Sequence, residues 1–110
     1  MPEQGQPIAV LITFPSMDEA QKIAAVLVDE HIAACVNLVS GIHSVFFWEN
    51  ERQEAQEVLG VVKTTQERLA DLIARVKSLH SYSVPEIIAL PIVGGDDHYL
   101  RWVGGTVLRN

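Results

Sequence analysis

The apolar positions change period along the chain, and those changes predict its elements. Ile8-Ala9-Val10-Leu11-Ile12-Thr13-Phe14 is a β-rich apolar run stopped by Pro15, which predicts a first strand. From Ala20 the apolar residues recur at Ile23, Ala24, Leu27 and Val28, one face of a helix. Ser16 and Glu19 stand ahead of them as a capping box, so a first helix is expected from about Met17 to Glu30. Val, Ile and Phe return between Ala34 and Trp48, broken by Gly41, which in a strand pattern marks a bulge or a close backbone approach; a long, bent second strand follows. Glu49-Asn50-Glu51-Arg52-Gln53 reads as a polar turn and Ala55 to Thr64 as a third strand, completing an extended hairpin. Thr64 with Glu67 repeats the capping pattern ahead of a helical stripe through Leu69, Leu72, Ile73, Val76 and Leu79 or His80. Glu86 to Val93 reads as a fourth strand, closed by Gly94-Gly95. A short helix is expected from Asp96-Asp97 through Val103, ended by Gly104-Gly105, with Thr106-Val107-Leu108 as a short final strand.

The order β-α-β-β-α-β with a C-terminal appendix is the split βαβ, ferredoxin-like plan of the α+β class. At 110 residues, without repeat or linker, residues 8 to 110 are expected to form one domain. Residues 1 to 7 are polar and are expected to be a poorly ordered tail; they carry no basic signal-peptide start, and the apolar stretch after them is too short to span a membrane. Val58, Leu59, Val61 and Val62 put apolar groups on both faces of the third strand, as in a strand covered on both sides. With glycine counted and tyrosine left out, the apolar share also lies a little above the usual range, which points to a subunit interface.

A formal charge of −6 and the lack of any basic run exclude a phosphate-tracking surface, so nucleic acid is not an expected partner. The single Cys35 excludes an intrachain disulfide and a multi-thiolate zinc site, and it fits a cytosolic protein.

Candidate chemistry concentrates in His80-Ser81-Tyr82-Ser83-Val84-Pro85-Glu86, where Pro85 stiffens a turn at the mouth of the fourth strand. His80 is open to two readings, a metal ligand or proton carrier near neutrality, or a structural partner for the last carbonyls of the second helix. Glu86 is equally a candidate base or ligand, or a hydrogen-bonding cap of a subunit contact. Cys35 reads as a small packed hydrophobe ahead of a soft metal ligand, and Trp48 and Trp102 as core or interface anchors. His31 and His98 read as surface residues, and the acidic run Glu49, Glu51, Glu54 and Glu57 as a solvated hairpin tip. No nucleophile-base-orienter set and no phosphate-cradling glycine loop is present.

Five spaced motifs, Ala33-Ala34-Cys35-Val36-Asn37, Ser44 with Trp48, Lys63-Thr64, His80-x-Tyr82-x-Val84-Pro85-Glu86 and Tyr99-Leu100-x-Trp102, together resemble the CutA family of divalent-cation tolerance proteins. The resemblance covers Ile8 to Val103. It implies a ferredoxin-like subunit, similar to the PII signalling proteins, that assembles through its sheets into a cytoplasmic homotrimer. The chain departs from the family pattern at Ser81 and Ser83, where many members have Pro and Glu around the motif tyrosine, and at Phe46-Phe47, often tyrosines. It also has Ile12 and Leu79 where some members carry a cysteine and a second histidine that would supply copper ligands.

The resulting expectation is a non-enzymatic trimer in the response to divalent cations. Its inter-subunit cleft would be lined by His80, Tyr82, Glu86, Trp48 and Lys63, and would bind Cu(II) or another divalent cation weakly through His80, with no other cofactor. The alternative is a PII-like sensor or signalling trimer that takes a small anionic metabolite through Lys63 and Arg101. A third reading is a hydrolytic or proton-transfer enzyme using His80 and Glu86.

Overall fold

The computed structural model describes residues 5–109 and runs β1(Pro7–Phe14), α1(Met17–Asp29), β2(Cys35–Trp48), β3(Glu51–Thr65), α2(Leu69–Leu79), β4(Ile87–Pro91) and α3(Asp97–Val107), with one 3₁₀ turn, Gln66–Arg68, leading into α2. This is a mixed α+β fold. Its four strands form one antiparallel sheet in the order β2-β3-β1-β4.

Register sorts the side chains onto two faces. Val10 faces Val62, Ile12 faces Gly60 and Phe14 faces Val58, and these residues pack with Ala20, Ile23 and Leu27 of α1 and Leu72 and Val76 of α2 into the main core. Gly60 is required by a close approach, because a Cβ there would stand 2.9 Å from the Phe14 ring. The opposite face carries Ala9 and Leu11 of β1 with Leu90 and Ile88 of β4 beside them. There α3 packs against β1 and β3 and buries Val103 and Val107 with Ala34. Ile88 and Leu90 remain about half exposed.

The strands β2 and β3 outrun the sheet. Pairing with β1 stops at Phe14 and Val58, so from Ile42 and Glu57 outward the two strands pair only with each other. The chain consequently measures 51 × 26 × 23 Å. Gly41, at φ 79°, sits in the irregularity between Val39 and Ile42, the bulge expected of it. The hairpin turn is shorter than the expected five polar residues. Only Glu49 and Asn50 form it, both at positive φ (52° and 64°), a tight two-residue turn, and Glu51, Arg52 and Gln53 pair with Trp48, Phe47 and Phe46. On a ribbon wet on both sides, polar residues extend a strand at little cost.

Other boundaries also moved. Ser16 caps α1 by accepting from Glu19 N–H, but the Glu19 carboxylate turns to Ser81 instead of closing the box. Thr64 belongs to β3 and is no cap, for its hydroxyl is buried and donates to the Ile32 carbonyl at 2.6 Å. Gly104-Gly105 does not end α3, which continues to Val107 with Gly104 buried, so no final strand follows. β4 is shorter than expected, and Ile92 N–H instead donates to the Pro7 carbonyl. Of the expected tail, residues 1–4 lie outside the described residues, while Gln6 and Pro7 join the fold: Gln66 N–H donates to the Gln6 carbonyl, and the Gln6 amide reaches Ile92.

Gly60→Ala is expected to cost about 1–3 kcal/mol by overpacking against Phe14. Chemical denaturation checks this, and an unchanged midpoint would contradict the close approach.

Candidate functional site

The segment between α2 and β4 is fastened at its first residue. The His80 side chain is fully buried, and its Nε2 lies 2.8 Å from the Thr13 carbonyl at the end of β1. Its ring stacks on Phe14 with centroids 5.4 Å apart. Tyr82 N–H points at His80 Nδ1 at 3.1 Å, with Glu19 Oε2 3.4 Å from the same nitrogen, and Nε2 faces the Thr13 carbonyl; the neutral tautomer that accepts from Tyr82 carries its proton on Nε2 and donates it to Thr13. Both ring nitrogens are occupied. Behind the turn, Glu19 Oε2 accepts from Ser81 N–H at 2.9 Å and Ser81 Oγ at 3.1 Å, tying the segment to α1.

Held this way, Tyr82 extends to β3 and its hydroxyl donates to Glu57 Oε2 at 2.8 Å. Glu57 is only 8% exposed. Burial, and then the hydrogen bond and negative charge of Glu57, push the Tyr82 phenol up to about 12. At neutral pH it therefore stays a donor.

Between the segment and the β2-β3 arm lies a cavity of about 690 Å³, a size that suits small molecules. Ser81, Tyr82, Ser83, Val84 and Glu86 form one wall; Ser44, Val45, Phe46 and Trp48 form the other; Thr13 and Glu57 lie between them. Among the expected cleft residues, Trp48, Tyr82 and Glu86 thus share one cavity. His80 does not line it and acts from behind as the anchor of its wall. Lys63 is elsewhere: it pairs in register with Cys35 and Ala9, and its ammonium donates to Asn37 Oδ1 and the Val61 carbonyl. Arg101, the other expected cation, forms an ion pair with Asp97 on α3.

Sequence reasoning missed Glu57 and Glu19. By sequence Glu57 belongs to the acidic run of the hairpin, yet it sits one residue before Val58, where the arm rejoins the sheet, and is buried. Strand position relative to the end of β1 was the available signal. Glu19 fits the pattern of a capping box, a local pattern that hides a partner 62 residues away.

The residues do not fit a copper centre. The positions that would bring a thiol and a second imidazole are Ile12, in the core, and Leu79, and no group of three His, Cys, Asp or Glu side chains gathers to hold a metal among the described residues. Nor does any hydrogen bond between His80 and Glu86 assemble a proton-transfer pair.

Tyr82→Phe is expected to cost about 1–3 kcal/mol, because it leaves Glu57 without its donor. With a folded-state pKa of about 12, above the ordinary value of 10, Tyr82 adds stability that is fully present below about pH 10 and lost as pH rises through about 12. Melting temperatures measured across that window should fall less steeply in Tyr82→Phe than in the parent chain; equal slopes would contradict the assignment.

The sequence and the architecture have counterparts among known proteins. A family model described as "CutA1 divalent ion tolerance protein" matches residues 8–106. A divalent-cation tolerance protein CutA from Thermus thermophilus is 52% identical over 94 residues, covering 86% of this chain and 91% of that protein. A chloroplastic CutA from Arabidopsis thaliana is 47% identical, and the chain spans about half its length, 53%. Among solved structures, CutA1 from Oryza sativa superposes with a TM-score of 0.93 at 39% identity, covering 97% of this chain and 98% of that one. The Thermus thermophilus structure superposes with a TM-score of 0.90 at 49% identity, covering 91% and 97%. With the family model matched over residues 8–106 and relatives sharing both sequence and fold across most of their length, the chain belongs to the CutA1 divalent ion tolerance family.

Proposed function

We propose that the chain acts as a non-enzymatic homotrimer in the response to divalent cations, built of ferredoxin-like, PII-like subunits, with the cavity beside residues 80–86 as an inter-subunit ligand site. The observation that carries this reading is the uncovered apolar surface. Val39, Ile88, Leu90 and Trp102 are each between 46% and 49% exposed, and on the projecting arm Val45 and Phe47 reach 58% and 72%. Such surface, on a two-stranded ribbon that is marginal in water by itself, needs a partner. A second copy of the chain also covers the free edges of β2 and β4. The strand order β2-β3-β1-β4 supports the ferredoxin-like description.

Within this reading, cation response does not run through a copper centre at His80, whose nitrogens are both occupied, so any Cu(II) binding is weak and independent of that ring. A sensor of a small anionic metabolite is less favoured, because Lys63 and Arg101 stand outside the cavity and its walls bring two carboxylates. The cytoplasm is the proposed location, on the strength of the single free thiol of Cys35.

Light scattering is expected to give three times the 12.1 kDa chain mass at micromolar concentration, and Ile88→Glu with Leu90→Lys to give monomer. A monomeric parent chain would sink the proposal. Cu(II) titrated calorimetrically into the parent chain and into folded His80→Asn should give the same weak isotherm, and binding lost in the variant would restore the metal reading.

A further inference from the structure

One nitrogen of the buried His80 ring faces two partners that demand opposite protonation states. Tyr82 N–H lies 3.1 Å from Nδ1 and needs a bare nitrogen to accept it. Glu19 Oε2 lies 3.4 Å from the same nitrogen, just beyond hydrogen-bond length, and a carboxylate there needs a proton to accept. On the far side of the ring Nε2 stands 2.8 Å from the Thr13 carbonyl, which only accepts, so that bond survives whether the ring is neutral or charged. The neutral ring is therefore satisfied by Thr13 and Tyr82, and the imidazolium by Thr13 and Glu19. Each state pairs both nitrogens, and only the partner of Nδ1 changes.

The surroundings of the ring support both states. Facing it are the Glu19 carboxylate from α1, the Thr13 carbonyl and the Phe14 ring from β1, and the Tyr82 amide and phenol from its own segment. Behind that phenol stands the Glu57 carboxylate of β3. Two carboxylates and no cation are among these groups, a setting that can hold an imidazolium away from water. The His80 side chain is 0% exposed within a single chain, so none of this depends on a neighbouring subunit.

A protonated Nδ1 and the Tyr82 N–H are both donors and cannot keep facing each other at their present separation. Residues 81–86 belong to no helix or strand, so the segment can turn away without breaking a backbone ladder. Ser81 stays fastened to Glu19 through its N–H and Oγ, which puts the pivot between Ser81 and Tyr82. We infer that His80 is an acid-sensitive latch: a proton on Nδ1 moves that nitrogen from Tyr82 N–H to Glu19 and releases residues 82–86, drawing the Tyr82 hydroxyl off Glu57. The latch goes beyond the proposed function and needs neither a trimer nor a ligand.

The test is an NMR titration of the nitrogen-15-labelled full chain from about pH 8 to about pH 5, the range over which imidazoles exchange their proton. His80 is expected to gain a proton on Nδ1 while keeping the one on Nε2. The Tyr82 amide should shift with the same midpoint and, with those of Ser83, Val84 and Glu86, exchange faster with water below it, while the amides of β1 and β3 hold still. Glu19→Gln keeps an acceptor for Ser81 but loses the charge, and the midpoint should move to lower pH. In His80→Gln the Tyr82 amide should lose its pH response. A ring that stays neutral down to about pH 5, a sheet that unfolds before the ring charges, a Tyr82 amide that ignores the proton on the ring or still titrates in His80→Gln, or an unchanged midpoint in Glu19→Gln would each overturn the latch.

Discussion

The hydrogen bond from His80 Nε2 to the Thr13 carbonyl ties the end of α2 to the end of β1, and the geometry of the cavity depends on it. One buried ring does three things at that junction. It satisfies a carbonyl at a strand end, it accepts the Tyr82 N–H and so sets the direction of the next residues, and it stacks on Phe14 in the core. A buried imidazole with both nitrogens paired is inexpensive to keep, whereas removing either partner would leave an unsatisfied polar atom in an apolar setting. Tyr82, Glu57 and the cavity wall all lie downstream of that anchor.

The residue with the most obvious chemical potential is spent on architecture, and the functional character passes to groups it positions. Tyr82 reaches across to β3 because its backbone is fixed, and Glu57 can be buried because Tyr82 reaches it. The resulting cavity is acidic, hydroxyl-lined and aromatic.

Patterns contained in one segment could be read from the sequence, and those requiring two segments could not. The strand periods, the amphipathic helices and the Gly41 bulge are local, and the structure has them. Thr64 and Glu19 look like caps in isolation, but the core takes Thr64 for Ile32 and the turn takes Glu19 for Ser81. Gly104-Gly105 looks like a helix stop, yet α3 runs on to Val107 with Val103, Gly104 and Val107 buried, and packing outweighs propensity there. In the candidate site, Trp48, Tyr82 and Glu86 were identified by motif and do share a cavity, whereas Lys63 stands at the Cys35 end of β3 and Glu57 emerged only from the place where β1 ends.

His80 is a structural anchor with both nitrogens committed. Long-range proton–nitrogen NMR of the imidazole measures this directly at mildly alkaline pH. A single form protonated on Nε2 is expected, with its signals unmoved and unbroadened by added Cu(II). A proton on Nδ1, or a His80 signal that shifts or vanishes as the metal is added, would contradict it.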